Sequence, residues 1–147
     1  MGAAMETVDR WNVAKVARPV GRYTLVNVCR GDSELAFVSG QFGIDAHGDL
    51  AGSDTRSQTR QVLENLRSVV ESLGALPSDL LYVNTYLSRE ASVNDFMAER
   101  TSFYDQWFDS AADYPGSTLL VVHSLVSPEY LVEIDATLAM TGSQSRT

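Results

Sequence analysis

Residues 131–140, LVEIDATLAM, alternate strictly between two kinds of side chain. Val132, Ile134, Ala136, Leu138 and Met140 fall on one side; Glu133, Asp135 and Thr137 fall on the other. Successive strand side chains point to opposite faces, so this segment is a strand with one apolar face and one face bearing two carboxylates. Such a strand asks for a covering layer on the apolar side only. Glu133, Asp135 and Thr137 must then look out from the second face of the sheet.

The covering layer is legible upstream. In SDTRSQTRQVLENLRSVVESLG, residues 53–74, Val62, Leu63, Leu66, Val69, Val70 and Leu73 recur at helical spacing and form one apolar stripe. Ser53, Asp54 or Thr55 suits the N-cap and Gly74 the stop. Arg60, Glu64, Arg67 and Glu71 lie opposite, as on a solvated surface. Ser92 and Asp95 resemble a capping box opening a second helix, whose Phe96, Phe103, Tyr104, Trp107 and Phe108 form an aromatic core stripe. The remaining β-type runs are YTLVNVC and LAFVSGQFGI, joined by RGDSE as a hairpin, then LLYVNTYLS and STLLVVHSL.

The order is β-β-α-β-α-β-β, an α+β arrangement with both helices on one face of a single mixed sheet. Residues 1–20 read as an irregular arm, 21–140 as one domain and 141–147 as a small polar tail. The exposed second face, with Tyr23, Leu25, Leu35 and Phe37 as apolar residues able to lie on it, points to association between subunits.

Composition narrows the function classes. At 147 residues and 44% hydrophobic, the chain fits one core-forming domain. No apolar run approaches membrane length and the N-terminus lacks a secretory pattern, so a cytoplasmic protein without membrane partners is expected. The net charge of −8 and the lack of a basic run disfavour nucleic acid. The single cysteine, Cys29, excludes an internal disulfide and a cysteine-cluster metal site. His47 and His123 are too far apart in sequence to make a metal motif, and no metal is expected. His123 follows Ser117, Leu119 and Val121 on one side of its strand, where it is able to line a site or simply to pack.

VGRY (20–23), FVSGQFGID (37–45), QTRQVLENLRSVVESLGA (58–75), VNTYLS (83–88) and LVEID (131–135) together resemble the Rid/YjgF family, the reactive-intermediate deaminases. The resemblance spans roughly residues 18–140. It implies a chorismate-mutase-like fold, a homotrimer with clefts between neighbouring subunits, and cofactor-free hydrolysis of enamine and imine intermediates such as 2-aminoacrylate. It also implies that Tyr23 and Ser39-Gly40-Gln41 shape the cleft and that Glu133 orients or activates water. The family's Arg, in a Pro-x-Arg-Ser/Thr segment, has no counterpart in Tyr114-Pro115-Gly116-Ser117-Thr118: Ser117 or Thr118 stands there, depending on the alignment.

A hydroxyl cannot replace a bidentate guanidinium on a carboxylate, and losing one charged hydrogen bond costs about 1.5–3 kcal/mol. A standard 2-aminoacrylate deaminase is therefore not expected. The expectation is a divergent Rid-like enzyme, acting by Glu133-assisted proton transfer or hydrolysis on an unstable small molecule, as in a specialised biosynthetic pathway. The alternative is a non-catalytic small-molecule binding protein using the same clefts. Glu133 itself has a second reading, as a carboxylate satisfied by backbone amides or by an Arg across the interface. Arg22 stands where the family often has Pro, either entering the cleft or exposed on a strand edge. Asp135 reads as structural, pairing an Arg.

Overall fold

The computed structural model describes residues 7–140. The elements run β1 (Thr7–Trp11), β2 (Val26–Arg30), β3 (Glu34–Phe42), α1 (Thr55–Ser72), β4 (Leu80–Ser88), α2 (Val93–Trp107), β5 (Gly116–Val122) and β6 (Val132–Met140). β3, β6, β4 and β5 form one mixed sheet in that order, in which only β4 and β5 are parallel. The apolar side of β6 lies against the helices as the alternation requires: Val132, Ile134, Ala136 and Leu138 are buried with Val62, Leu63, Leu66 and Val70 of α1 and Phe96 and Tyr104 of α2. This is the expected α+β, chorismate-mutase-like architecture.

Two local expectations fail. Part of the stretch read as an irregular arm is a strand, β1, and it takes β2 away from the expected hairpin with β3. β1 and β2 form a separate antiparallel ribbon, from Thr7 opposite Arg30 to Trp11 opposite Val26. Side chains explain the pairing. Arg30 meets Asp9 at 2.5 Å, and Arg10 donates to Asn27 Oδ1 at 2.8 Å. Arg10 also reaches the carbonyls of Ser78 and Leu80, which fastens the ribbon to the start of β4. β3 instead pairs with β6. Residues 1–6 and the tail 141–147 lie outside the described residues.

The helix ends are largely as read, with one difference. Asp54 caps α1, accepting from the Ser57 N–H at 3.0 Å. Ser92 caps α2 through the Asp95 N–H, but Asp95 does not complete a box: its carboxylate meets Arg56 of α1 at 3.2 Å. Arg60 is exposed on the solvated face as expected, and from there it bonds the buried Glu99 of α2 at 2.7 Å.

A buried amide joins α1 to the sheet. Gln58 is fully buried; its Nε2 donates to the carbonyls of Gly52 (2.9 Å) and Glu129 (3.0 Å), and its Oε1 accepts from the Leu131 N–H (2.8 Å). Gly43 makes this approach possible, because a β-carbon there would lie 2.8 Å from the Gln58 Cα. Two turns on, Asn65 donates to the carbonyls of Phe42 (3.0 Å) and Ile44 (2.9 Å). Together they fix the end of β3 and the residues leading into β6. Replacing Gln58 by Leu would strand the buried Leu131 N–H and two carbonyls; each unsatisfied group costs about 1–3 kcal/mol. We therefore expect Gln58→Leu to destabilise by at least about 2 kcal/mol in urea unfolding.

Candidate functional site

The face of the sheet away from the helices carries a polar patch set among apolar residues. Register defines it. Glu133 lies between Phe42 of β3 and Tyr86 of β4, with Leu120 of β5 beyond Tyr86. Asp135 lies beside Asn84, with Thr118 beyond it, and Thr137 lies between Phe37 and Tyr82. Phe37 is 77% exposed, Leu35 55% and Leu120 49%.

The two carboxylates have different surroundings. Asp135 is satisfied, accepting from Asn84 Nδ2 at 2.8 Å and from the Tyr86 hydroxyl at 3.1 Å. Neighbouring side chains of β4 thus take the place of the Arg expected there. Holding the Asp135 carboxylate pushes the Tyr86 phenol above its usual range. Among the described residues, no group donates a hydrogen bond to Glu133. Partial burial and, second, the like charge of Asp135 raise its carboxyl above the ordinary glutamate value. A carboxyl with raised proton affinity on an open sheet face is a candidate for acid–base chemistry.

A kink in β3 makes room for Glu133. Pairing with β6 shifts between Val38 and Gln41, so Ser39 and Gly40 form an irregularity beside the carboxylate. A β-carbon at Gly40 would lie 2.0 Å from Glu133 Oε1, so the side chain rests directly over this glycine.

Of the residues singled out in the sequence, Glu133, Ser39, Gly40 and Thr118 share this face. Thr118 hydrogen-bonds the Tyr82 hydroxyl. Gln41 is opposite Ile134 in register and turns its amide onto the Ser39 carbonyl at 3.0 Å. Ser117 and Leu119 have the opposite parity on β5; Ser117 is opposite the buried Val83, and Leu119 packs against the core. His123 lies just past β5, exposed, with Nδ1 3.5 Å from Arg89. Tyr23 and Leu25 lie off the sheet in the segment before β2, where Tyr23 lines a separate cavity. Arg22 is beside Asp105 at 3.4 Å rather than near Glu133. Tyr82, Asn84 and Tyr86 were not singled out in the sequence, although their every-second-residue spacing in LLYVNTYLS carried the signal.

A family description named Endoribonuclease L-PSP matches residues 14–140. The chain belongs to the Rid/YjgF family. A RutC family protein of Pyrococcus horikoshii is 31% identical over 120 residues, covering 81% of this chain and 87% of that protein. A RutC family protein of Sulfurisphaera tokodaii is 32% identical over 132 residues, covering 88% and 94%. Among solved structures, a conserved Rid family protein of unknown function from Yersinia pestis superposes with a TM-score of 0.76 at 28% identity, covering 90% of this chain and 98% of that one. TdcF from E. coli, solved with bound serine, gives a TM-score of 0.60 at 28% identity over 73% of this chain and 81% of that one. Its sequence carries Glu133 and Ser39-Gly40-Gln41 and has no Arg between Tyr114 and Thr118. Among the described residues there is no group of acids, His and Cys able to hold a metal, and no helix long and apolar enough to cross a membrane.

Two outcomes follow from Glu133. The clash at Gly40 involves the far end of a flexible side chain, so Gly40→Ala should change stability by less than about 1 kcal/mol while displacing the carboxylate. Thermal melting paired with a carboxyl NMR titration checks this: the melting midpoint should hold and the Glu133 pKa should fall towards ordinary values. The second outcome concerns pH. With its folded pKa raised, Glu133 contributes most favourably below its unfolded pKa of about 4.3, and that contribution is lost as pH rises through the raised folded value. Glu133→Gln should accordingly be more stable than the parent at pH 7, by a margin that shrinks below about pH 4 in thermal melts.

Proposed function

We propose that the open sheet face forms one wall of clefts between neighbouring copies in a homotrimer, and that Glu133 performs proton transfer there on a reactive enamine, imine or similarly unstable small molecule. The observation that carries this reading is the Glu133 carboxyl resting over Gly40, with its proton affinity raised and no donor among the described residues, beside an Asp135 held by Asn84 and Tyr86. In imine hydrolysis, the Glu133 carboxylate takes a proton from water as the oxygen bonds to the imine carbon. The nitrogen receives that proton, giving a neutral carbinolamine; Glu133 then takes the hydroxyl proton as the C=O bond forms and passes it to the nitrogen as the C–N bond breaks, so ammonia leaves with the electron pair. The same carboxyl suits tautomerisation, removing a proton at one atom and returning it at another. Ser39 and Gly40 border the reacting position, and none of these steps needs a cofactor.

The ligand chemistry follows from the row beside Glu133. Thr118, Asn84 and Tyr86 supply neutral polar groups, and Asp135 adds negative charge. A carboxylate at this face would meet two acids and no guanidinium, which favours a neutral or larger polar substrate. That same feature supports the second reading, binding without turnover. RNA is disfavoured, despite the endoribonuclease label of the family description, by the acidic face and the net charge of −8.

The test uses a 2-iminopropionate generator beside an authentic Rid deaminase, followed by a panel of neutral enamines and imines. Little or no activity is expected on 2-iminopropionate. Turnover of a neutral substrate should fall by about 10²-fold or more in Glu133→Gln, within the usual range for a general acid–base group. Retained activity in that variant would remove Glu133 from the mechanism. Saturable binding with unchanged ligand chemistry would favour the second reading.

A further inference from the structure

Across the open face, the side chains separate into rows of different character. The row through Glu133 is aromatic and apolar: Phe42 stands on one side of it, Tyr86 on the other, and Leu120 beyond Tyr86. The row through Asp135 is polar, with Asn84 and then Thr118. The acid proposed to transfer protons thus sits in the middle of a hydrophobic row. The acid already held by Asn84 and Tyr86 sits in the polar one.

A second ring extends the hydrophobic row beyond Phe42. Tyr130, from the residues leading into β6, packs on Phe42 with ring centroids 4.7 Å apart and planes inclined by 31°. Both residues are half-buried, and neither joins the hydrophobic cluster beneath the sheet, so core packing does not account for the pair. Its backbone is held from α1. Gln58 bonds the Glu129 carbonyl and the Leu131 N–H, on either side of Tyr130. Asn65 bonds the Phe42 carbonyl. The Tyr130 N–H closes a turn on the Ser127 carbonyl at 3.1 Å. Two amides of one helix therefore fix both ring-bearing residues beside Glu133, and groups fixed in advance cost less to order when a ligand arrives.

We propose that Phe42 and Tyr130 are specificity-determining residues for the Glu133 site, and that they select an uncharged imine or enamine conjugated to an aromatic ring. This rests on the reading of Glu133 as the proton-transfer group and names the class of molecule it acts on. The ligand's ring lies against the Phe42–Tyr130 pair, in the offset or edge contact that aromatic rings prefer. Phe42 and Glu133 are directly opposed on neighbouring strands, where β-carbons are about 4.5–5.5 Å apart, so a ring seated on Phe42 carries its attached C=N group to the carboxyl. Conjugation keeps that group coplanar with the ring, and one orientation serves both contacts. The polar edge of the ligand then meets the row of Asp135, Asn84 and Thr118.

The probes are benzaldehyde oxime, a stable, uncharged and planar C=N compound, and cyclohexanecarbaldehyde oxime, which keeps the C=N group and loses the aromatic ring. Both are titrated into the full chain by NMR. The aromatic oxime should bind saturably and about three- to tenfold more tightly, the range for aromatic contact beyond buried area. Its ring protons should give cross-peaks to the rings of Phe42 and Tyr130. Phe42→Leu and Tyr130→Leu should each cut the preference to less than about twofold, with melting midpoints showing that each variant folds. Where Phe42→Leu does not fold, Tyr130→Leu decides. Equal or tighter binding of the cyclohexyl compound would overturn the proposal, as would no saturable binding of the aromatic one or an unchanged preference in Tyr130→Leu. Glu133→Gln separates the two readings. A ring preference with turnover unaffected by that variant would support the ring site and remove Glu133 from the chemistry; turnover lost in that variant with no ring preference would overturn the ring selection alone.

Discussion

The arrangement of the candidate site depends on one buried amide. Gln58 spends its hydrogen-bonding capacity on backbone that has no sheet partner, namely the Leu131 N–H and the carbonyls of Gly52 and Glu129. A fully buried amide is tolerated only when satisfied in this way. The consequence reaches the sheet, because Leu131 directly precedes β6. Its position sets which residues of that strand face the helices, and a slip of one residue would drive Glu133 into the core and expose Ile134. Helix α1 thus does more than cover the sheet: Gln58 and Asn65 set where β6 begins and β3 ends.

With register fixed, the chemistry of the open face follows from local inequality. Glu133 and Asp135 are two residues apart and point the same way. Asn84 and Tyr86 both serve Asp135, and Gly40 leaves space over which Glu133 extends without a donor. A partly buried carboxylate beside another carboxylate is a stability cost, and such costs concentrate at functional sites. The apolar surroundings point the same way. Phe37, Leu35 and Leu120 are large side chains exposed on one sheet face, a pattern associated with contact surfaces.

Much of this was legible in the sequence, for identifiable reasons. The period-two pattern of residues 131–140 gave the faces of β6, and the period of α1 gave its buried stripe, because both signals are local. The sequence suggests a hairpin because YTLVNVC and LAFVSGQFGI are both strand-like; what separates them is Arg10 reaching Asn27, Ser78 and Leu80, a contact between distant parts of the chain. Asp135 was expected to pair with an Arg because sequence shows charge but not the cross-strand register that puts Asn84 and Tyr86 beside it. Glu133 was reached through the family resemblance and the alternation together. Ser117 and Leu119 were grouped with it although their parity on β5 sends them to the helix side.

The account turns on whether the open face is covered by further copies of the same chain. Sedimentation equilibrium of the unmodified protein tests this most directly. The account predicts a single species at three times the 16.1 kDa chain mass, persisting on dilution. A monomer at every concentration measured would leave Phe37, Leu35 and Glu133 facing bulk water and would contradict it.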